Sequence, residues 1–512
     1  MSDMIATADG IVVGARGKRT RAGTISWKGI PFAAPPVGPR RFLAPEPVTP
    51  WNGKRDARAY GTAEVQDKLY TAVGPGRFQP TGEDCLTLNV FSPDRISASP
   101  RPVMVFIHGG GFGAGSGNDG QYDGPELARR GAVVINFNYR LGQLGFLGHA
   151  ALAAEDTAHH SSGNYGLMDQ QAALRWVRDN AAAFGGDPGN VTLFGESAGG
   201  SAIMRLLAMP LARGLFDKAI IESGGPANIK VKGYPKKDDV PAARALARDF
   251  MREAGAADLA ALRALHADTV LADAARVARR RGDTMGISTW GARVDNDVLP
   301  DDIFGDIRRG ANPDVKVLIG TNEDEMLYFR LYDQDFERTL MREYHEKSQS
   351  MGRDFSRVKE LADRYIAGST DPMRYVDFAG EFWLRQPSIL LAEGQARHND
   401  TWMYLFTWDS ALPGMGACHA IELPFVFGHL EGEAAESMTG PNPPAALARR
   451  IQAAWTAFAA TGNPTAPGET PWPRYTADTR ATLLLADGPW TVVNDPKGEA
   501  RRLLRGMYDV GE

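Results

Sequence analysis

The sequence predicts an α/β protein: a mostly parallel central sheet flanked by helices, in a single domain over residues 1–512. Three observations carry this. Apolar runs of strand length at residues 103–107, 133–137, 191–194 and 315–320 alternate with helical spacing, the order that parallel strands and crossover helices require. Neither a low-complexity linker nor a repeat interrupts the pattern from Val103 past Val315. The composition, 43% hydrophobic and 23% charged with a net charge of −5, is that of an ordinary globular chain. Length alone points weakly to several domains, and the unbroken pattern outweighs it.

The elements follow in chain order. Val103-Met104-Val105-Phe106-Ile107 reads as a buried strand and runs into His108-Gly109-Gly110-Gly111-Phe112. Residues 133–137 form a second apolar strand. Leu167, Leu174, Val177, Ala181 and Phe184 recur at helical spacing and stop at Gly185-Gly186-Asp187-Pro188. A third strand, 191–194, leads directly into Gly195-Glu196-Ser197-Ala198-Gly199 and a helical stretch. Residues 228–289, rich in Ala, Arg and Asp, contain amphipathic patterns such as 240–254 and are expected to form a cap insertion; an exposed helical decoration is the alternative. Val315-Lys316-Val317-Leu318-Ile319-Gly320 is the fourth strand.

A strand that bends sharply into a helix needs small residues on both sides of the bend. Ser197 occupies such a bend, which would hold its hydroxyl at an exposed tip above the unpaired N–H groups of a helix start. Alone, the glycine-serine-glycine pattern is weak, and a solvated surface turn competes with it. The context favours a nucleophile for acyl transfer. The glycines after His108 leave backbone N–H groups unshielded, so Gly110 and Gly111 N–H, with Ala198 N–H, are assigned to an oxyanion hole. A plain flexible turn competes with this, and a phosphate loop is a poor reading because no Gly-Lys-Ser/Thr follows.

A base that works near neutrality should be histidine. With the chain order nucleophile, acid, histidine, the late histidines are candidates. His345 lies in a charged helical stretch, His398 in a polar one, and His429 after an apolar run. His419 sits in a Pro/Gly-rich loop, where functional groups are commonly displayed, and is chosen. The acid is expected just past the strand ending at Gly320, where Glu323, Asp324 and Glu325 compete; the residues themselves do not separate them.

These motifs resemble those of the type B carboxylesterases, the family that includes the cholinesterases. The resemblance covers nearly the whole chain: Trp27-Lys28-Gly29-Ile30-Pro31-Phe32-Ala33, Glu83-Asp84-Cys85-Leu86, His108 to Phe112, Asn138-Tyr139-Arg140-Leu141-Gly142, Gly166-Leu167-Met168-Asp169-Gln170, and Trp455 with Gly462-Asn463-Pro464. It implies the α/β-hydrolase fold with large cap insertions, and a serine esterase acting on carboxylic esters without metal or organic cofactor. It also implies that Glu325 is the triad acid, since the family's Gly-x-Asn-x-x-Glu motif maps onto Gly320, Asn322 and Glu325. Glu196, Ser223 and Glu422 match supporting residues near the histidine. Arg41 with Glu83 and Arg140 with Asp169 match family ion pairs. The alternatives are a carbamate or amide hydrolase using the same triad, and a non-catalytic binding module of the same fold.

The sequence departs from the family at two places. The partner of the disulfide cysteine matched by Cys85 falls within Thr62-Ala63-Glu64-Val65-Gln66, where no cysteine stands. No tryptophan occurs between Trp51 and Trp176, so the cholinesterases' choline-stacking platform is absent and choline esters are not expected. The partner expected is a small-molecule ester. Mild acidity argues against nucleic acid, and no run approaches membrane-spanning length. Two cysteines, Cys85 and Cys418, and no signal-peptide pattern at residues 1–10 predict a cytoplasmic protein with reduced thiols.

Overall fold

A computed structural model describes residues 2–18, 22–74, 77–95, 97–225, 230 and 231, 240–283, 289–295, 297–350 and 356–509. The chain divides into two compact units, Met1–Lys218 with Lys237–Asp301, and Ala219–Lys236 with Asp302–Glu512.

The larger sheet of the first unit runs through β1 (Ala15–Arg16), β2 (Thr24–Pro31), β3 (Thr87–Pro93), β4 (Arg101–Ile107), β5 (Val133–Phe137) and β6 (Gly186–Glu196), in the spatial order β6-β4-β5-β3-β2-β1. β4, β5 and β6 are parallel neighbours, while β3, β2 and β1 add antiparallel strands outward. Every side chain of β5 is buried, as a strand covered on both faces requires. Register positions the functional loops: Gly195 at the end of β6 pairs with Ile107 at the end of β4, so both strands release their following turns at one edge. The expected helical stripe is α1 (Tyr165–Asn180), which continues as a 3-10 turn, Ala181–Phe184, and stops where Gly185 turns left-handed at φ 84°. α2 (Ala198–Ala208) follows β6 and is buried along its whole length.

Three helices from the expected cap are described: α3 (Val240–Glu253), α4 (Leu259–Ala264) and α5 (Ala267–Arg280). Residues 226–229, 232–239 and 284–288 lie outside the described residues. α3 buries Ala243, Leu246, Ala247 and Phe250, and α5 buries Val270, Ala274, Val277 and Ala278. Their outer surfaces carry ion pairs such as Arg276–Glu253. Arg41 ties α4 to its surroundings by donating to the carbonyls of Leu262 and Leu265, at 3.3 and 2.7 Å.

The second unit carries β7 (Lys218–Glu222), β8 (Lys316–Asn322), β9 (Thr401–Phe406), β10 (Ala481–Leu485) and β11 (Thr491–Asn494), side by side in that order. β8, β9 and β10 are parallel and β11 is antiparallel. Asn322 pairs with Phe406, so the segments that follow β8 and β9 leave from one end. Helices α6 (Leu423–Phe427) and α7 (Ala445–Thr461) pack together; buried Trp455 on α7 donates from its indole to Glu222 at 2.6 Å.

Candidate active site

The first unit holds the serine and the glycine loop. Ser197 has φ 56° and ψ −120°, a strained conformation for a residue with a side chain. It persists because both neighbours at the bend have no room for more atoms. A Cβ on Gly199 would collide with the Ile107 carbonyl, and one on Gly195 would stand 2.7 Å from the same oxygen. The Ser197 carbonyl accepts the Ser201 N–H at 2.8 Å, which opens α2. The loop after β4 turns through Gly110 (φ 105°) and Gly111 (φ 63°), with the Gly110 carbonyl accepting from Ala114 N–H at 2.9 Å. Gly109 packs against the serine bend. A Cβ there would sit 2.7 Å from Glu196 Oε2 and 3.0 Å from Ser197 Cβ. Thus the loop that carries Gly110 and Gly111 packs through Gly109 on the buried Glu196 and on Ser197.

The second unit holds Glu325 and His419, the expected acid and base. Glu325 is 3% exposed, and its Oε2 lies 2.6 Å from His419 Nδ1. Its other oxygen accepts the Ser223 hydroxyl at 2.6 Å and the Asn322 N–H at 2.8 Å. A carboxylate bonded this fully keeps a fixed orientation and passes it to the imidazole. The His419 N–H also donates to the Glu325 carbonyl at 3.0 Å. Asn322 donates to the Cys418 carbonyl at 2.8 Å and to Glu422 Oε2 at 2.5 Å, bracing the loop from below. Ser223, held at φ 49°, is a strained residue placed where its hydroxyl meets the acid.

The three competing carboxylates have separate positions. Glu323 is exposed, Asp324 is half-buried, and only Glu325 faces the imidazole. Asp324 donates its backbone N–H to the Ala417 carbonyl at 3.0 Å and accepts the Ala417 N–H on its carboxylate at 3.0 Å. This pin on the loop just before His419 went unread in the sequence. The acidic cluster was its only signal, and it marked a competitor, not a support. The other histidines have different surroundings: His345 Nε2 lies 3.1 Å from the Tyr375 hydroxyl, and His398 Nε2 2.8 Å from the Arg308 carbonyl. Cys418 precedes His419, but burial pushes its thiol up, away from thiolate character.

Both expected ion pairs form. Arg41 grips Glu83 through two bonds, at 2.6 and 2.5 Å, and Arg140 grips Asp169 through Nε and Nη2 at 2.8 and 2.7 Å. All four side chains are largely shielded from solvent, so each pair is geometrically demanding, and removing one partner would leave a stranded charge. Among the described residues, no group of three His, Cys, Asp or Glu side chains is placed to hold a metal ion. No helix among them is long and apolar enough to cross a membrane.

A parallel-centred sheet with a serine on its strand-to-helix bend, flanked by a glycine loop, defines an α/β-hydrolase. A profile of the carboxylesterase family matches residues 1–502. The para-nitrobenzyl esterase of Bacillus subtilis (strain 168) is 38% identical over 493 residues, covering 95% of this chain and 96% of that protein. The fumonisin B1 esterase of Sphingopyxis macrogoltabida is 36% identical over 465 residues, covering 87% and 81%. A solved PNB esterase structure superposes with a TM-score of 0.85 at 36% identity, covering 98% of this chain and 99% of that one. The chain belongs to the carboxylesterase family, and it is a carboxylic ester hydrolase.

Proposed function

We propose that ester hydrolysis here runs through an acyl-enzyme on Ser197. His419 takes the serine proton as Oγ attacks the ester carbonyl, Glu325 orients and stabilises the resulting imidazolium, and Gly110, Gly111 and Ala198 N–H receive the oxyanion. His419 then protonates the leaving alcohol and activates water, which releases the acid. Ser223 and Glu422 hold the acid and its loop; Glu196 supports the glycine loop. The observation that carries this reading is the Glu325–His419 bond of 2.6 Å, one buried carboxylate aligned on one imidazole.

The names of two relatives, a para-nitrobenzyl esterase and a fumonisin B1 esterase, support small-molecule esters as the substrate class. The match over residues 1–502 supports one catalytic domain spanning residues 1–512, with its cap at residues 228–289. Cys85 and Cys418 are free and buried, which supports a reducing, cytoplasmic compartment. The test is labelling by a fluorophosphonate, with hydrolysis of p-nitrophenyl esters of increasing acyl length alongside. Labelling of wild type and loss of both signals in Ser197→Ala are expected; turnover by a clean Ser197→Ala preparation would exclude Ser197.

A further inference from the structure

The glycine loop is held at both ends by a segment that the reaction itself does not involve. Glu64 and Gln66 lie within residues 62–66, the stretch in which the family resemblance places a disulfide cysteine and this chain has none. Both are buried, Glu64 to 1% exposure. Glu64 Oε1 accepts the Tyr139 N–H at 2.9 Å and lies 3.7 Å from His108 Nε2. The Tyr139 hydroxyl donates to the His108 carbonyl at 2.9 Å, and its ring stacks on the imidazole with centroids 4.4 Å apart. His108 is the residue that opens the loop.

Gln66 takes the other end. The Gly115 N–H donates to Gln66 Oε1 at 2.8 Å, and Gln66 Nε2 donates to the Gly115 carbonyl at 2.8 Å. The two ends also meet each other, since a Cβ on Gly115 would stand 2.6 Å from His108 Nδ1. Among the described residues, Glu64 Oε2 and His108 Nε2 have no hydrogen-bond partner. A buried carboxyl is unfavourable beside an apolar side chain of equal size unless its contacts compensate. The polar contacts of this one are to Tyr139 and His108, both tied to the loop.

We propose that Glu64 and Gln66 are positioning residues for the oxyanion hole, clamping the glycine loop at His108 and Gly115 so that its N–H groups are aimed before charge develops. Glycine-rich backbone has the greatest freedom to wander, and donors stabilise a transition state only when they are already in place. This rests on the assignment of Gly110 and Gly111 N–H to the oxyanion. The clamp acts on the transition state, leaving ground-state binding of the ester alone.

The test compares wild type with Glu64→Leu, Glu64→Gln and Gln66→Met on p-nitrophenyl butyrate, and measures inhibition by a trifluoromethyl ketone, which forms a tetrahedral adduct on the serine. In Glu64→Leu and Gln66→Met, kcat falls about tenfold, KM stays within about twofold, and the ketone weakens by the same factor as kcat. Glu64→Gln keeps an acceptor for the Tyr139 N–H and returns to within about threefold of wild type. Wild-type kcat in both Glu64→Leu and Gln66→Met overturns the proposal, as does loss of kcat with unchanged affinity for the ketone. Should Glu64→Leu not fold, Gln66→Met and Glu64→Gln decide. Turnover by Ser197→Ala would defeat the site assignment itself; an inactive Ser197→Ala beside fully active clamp variants defeats only the clamp.

Discussion

The surroundings of Ser197 in the first unit and those of His419 in the second are built from different materials. Around Ser197 the structure relies on backbone: a strained φ of 56°, glycines at 109, 110, 195 and 199, and carbonyls that fill the space a side chain would need. Around His419 it relies on side chains, with Glu325, Ser223, Asn322, Asp324 and Glu422 joined by hydrogen bonds that bridge residues 93 to 102 apart in the chain. Around Ser197 there is almost no room for an added atom. Around His419 the buried polar groups depend on one another's hydrogen bonds. A region can thus be rigid for two physical reasons, exclusion of added atoms or satisfaction of buried polar groups.

Mutations should separate the two. Ser197→Ala sets the upper bound, with kcat reduced by roughly 10⁵-fold or more while circular dichroism and melting stay near wild type. Glu325→Gln keeps the volume but presents an amide to His419 Nδ1; a loss of about 10³–10⁴ in kcat is expected, with little change in melting temperature. A drop of only a few-fold would show that the imidazole is oriented without the acid. Gly110→Ala should behave in the opposite way. Its Cβ would collide with the Ala114 carbonyl at a φ of 105°, so the loop must shift. Steady-state kinetics should show kcat down about 10²-fold, with lower thermal stability as well.

Smaller effects sharpen the contrast. Asp324→Ala removes the pin on Ala417 and should lower unfolding free energy by about 1 kcal/mol in urea titration, with a few-fold loss of kcat. The last prediction concerns pH. Burial pushes the Glu64 carboxyl up, against the opposing pull of His108. Its folded value then lies above its unfolded one, so the native state holds a proton that the unfolded chain has released. The stabilising contribution is complete below the unfolded value of 4.5 and is lost as pH rises through the folded value. Glu64→Gln removes that decline. Its melting temperature relative to wild type should therefore improve from pH 5 to pH 8, and a constant difference would argue against an elevated carboxyl.

The two regions also differ in legibility. The serine bend and the glycine loop were readable because backbone constraint leaves a local trace, small residues at fixed offsets beside an apolar run. Strand positions were readable for the same reason. β5 matches residues 133–137, and the run 191–194 lies inside β6, whose earlier residues are too polar to stand out. The acid was different. Glu323, Asp324 and Glu325 are chemically alike and adjacent, and only the resemblance to the carboxylesterases separated them. The clamp on the glycine loop was not read at all, because Glu64 and Gln66 are ordinary residues until His108 and Gly115 are placed beside them.

By itself, then, the sequence determined the alternation of strands and helices, the bend at Ser197, the glycine loop and the family. Each is written in residues close together in the chain, where steric limits act on neighbours. Tertiary structure alone decided that Asp324 pins the loop before His419 and that Glu64 lies buried against His108. Those outcomes depend on hydrogen-bond geometry between segments far apart in sequence, and a one-dimensional pattern carries no distance.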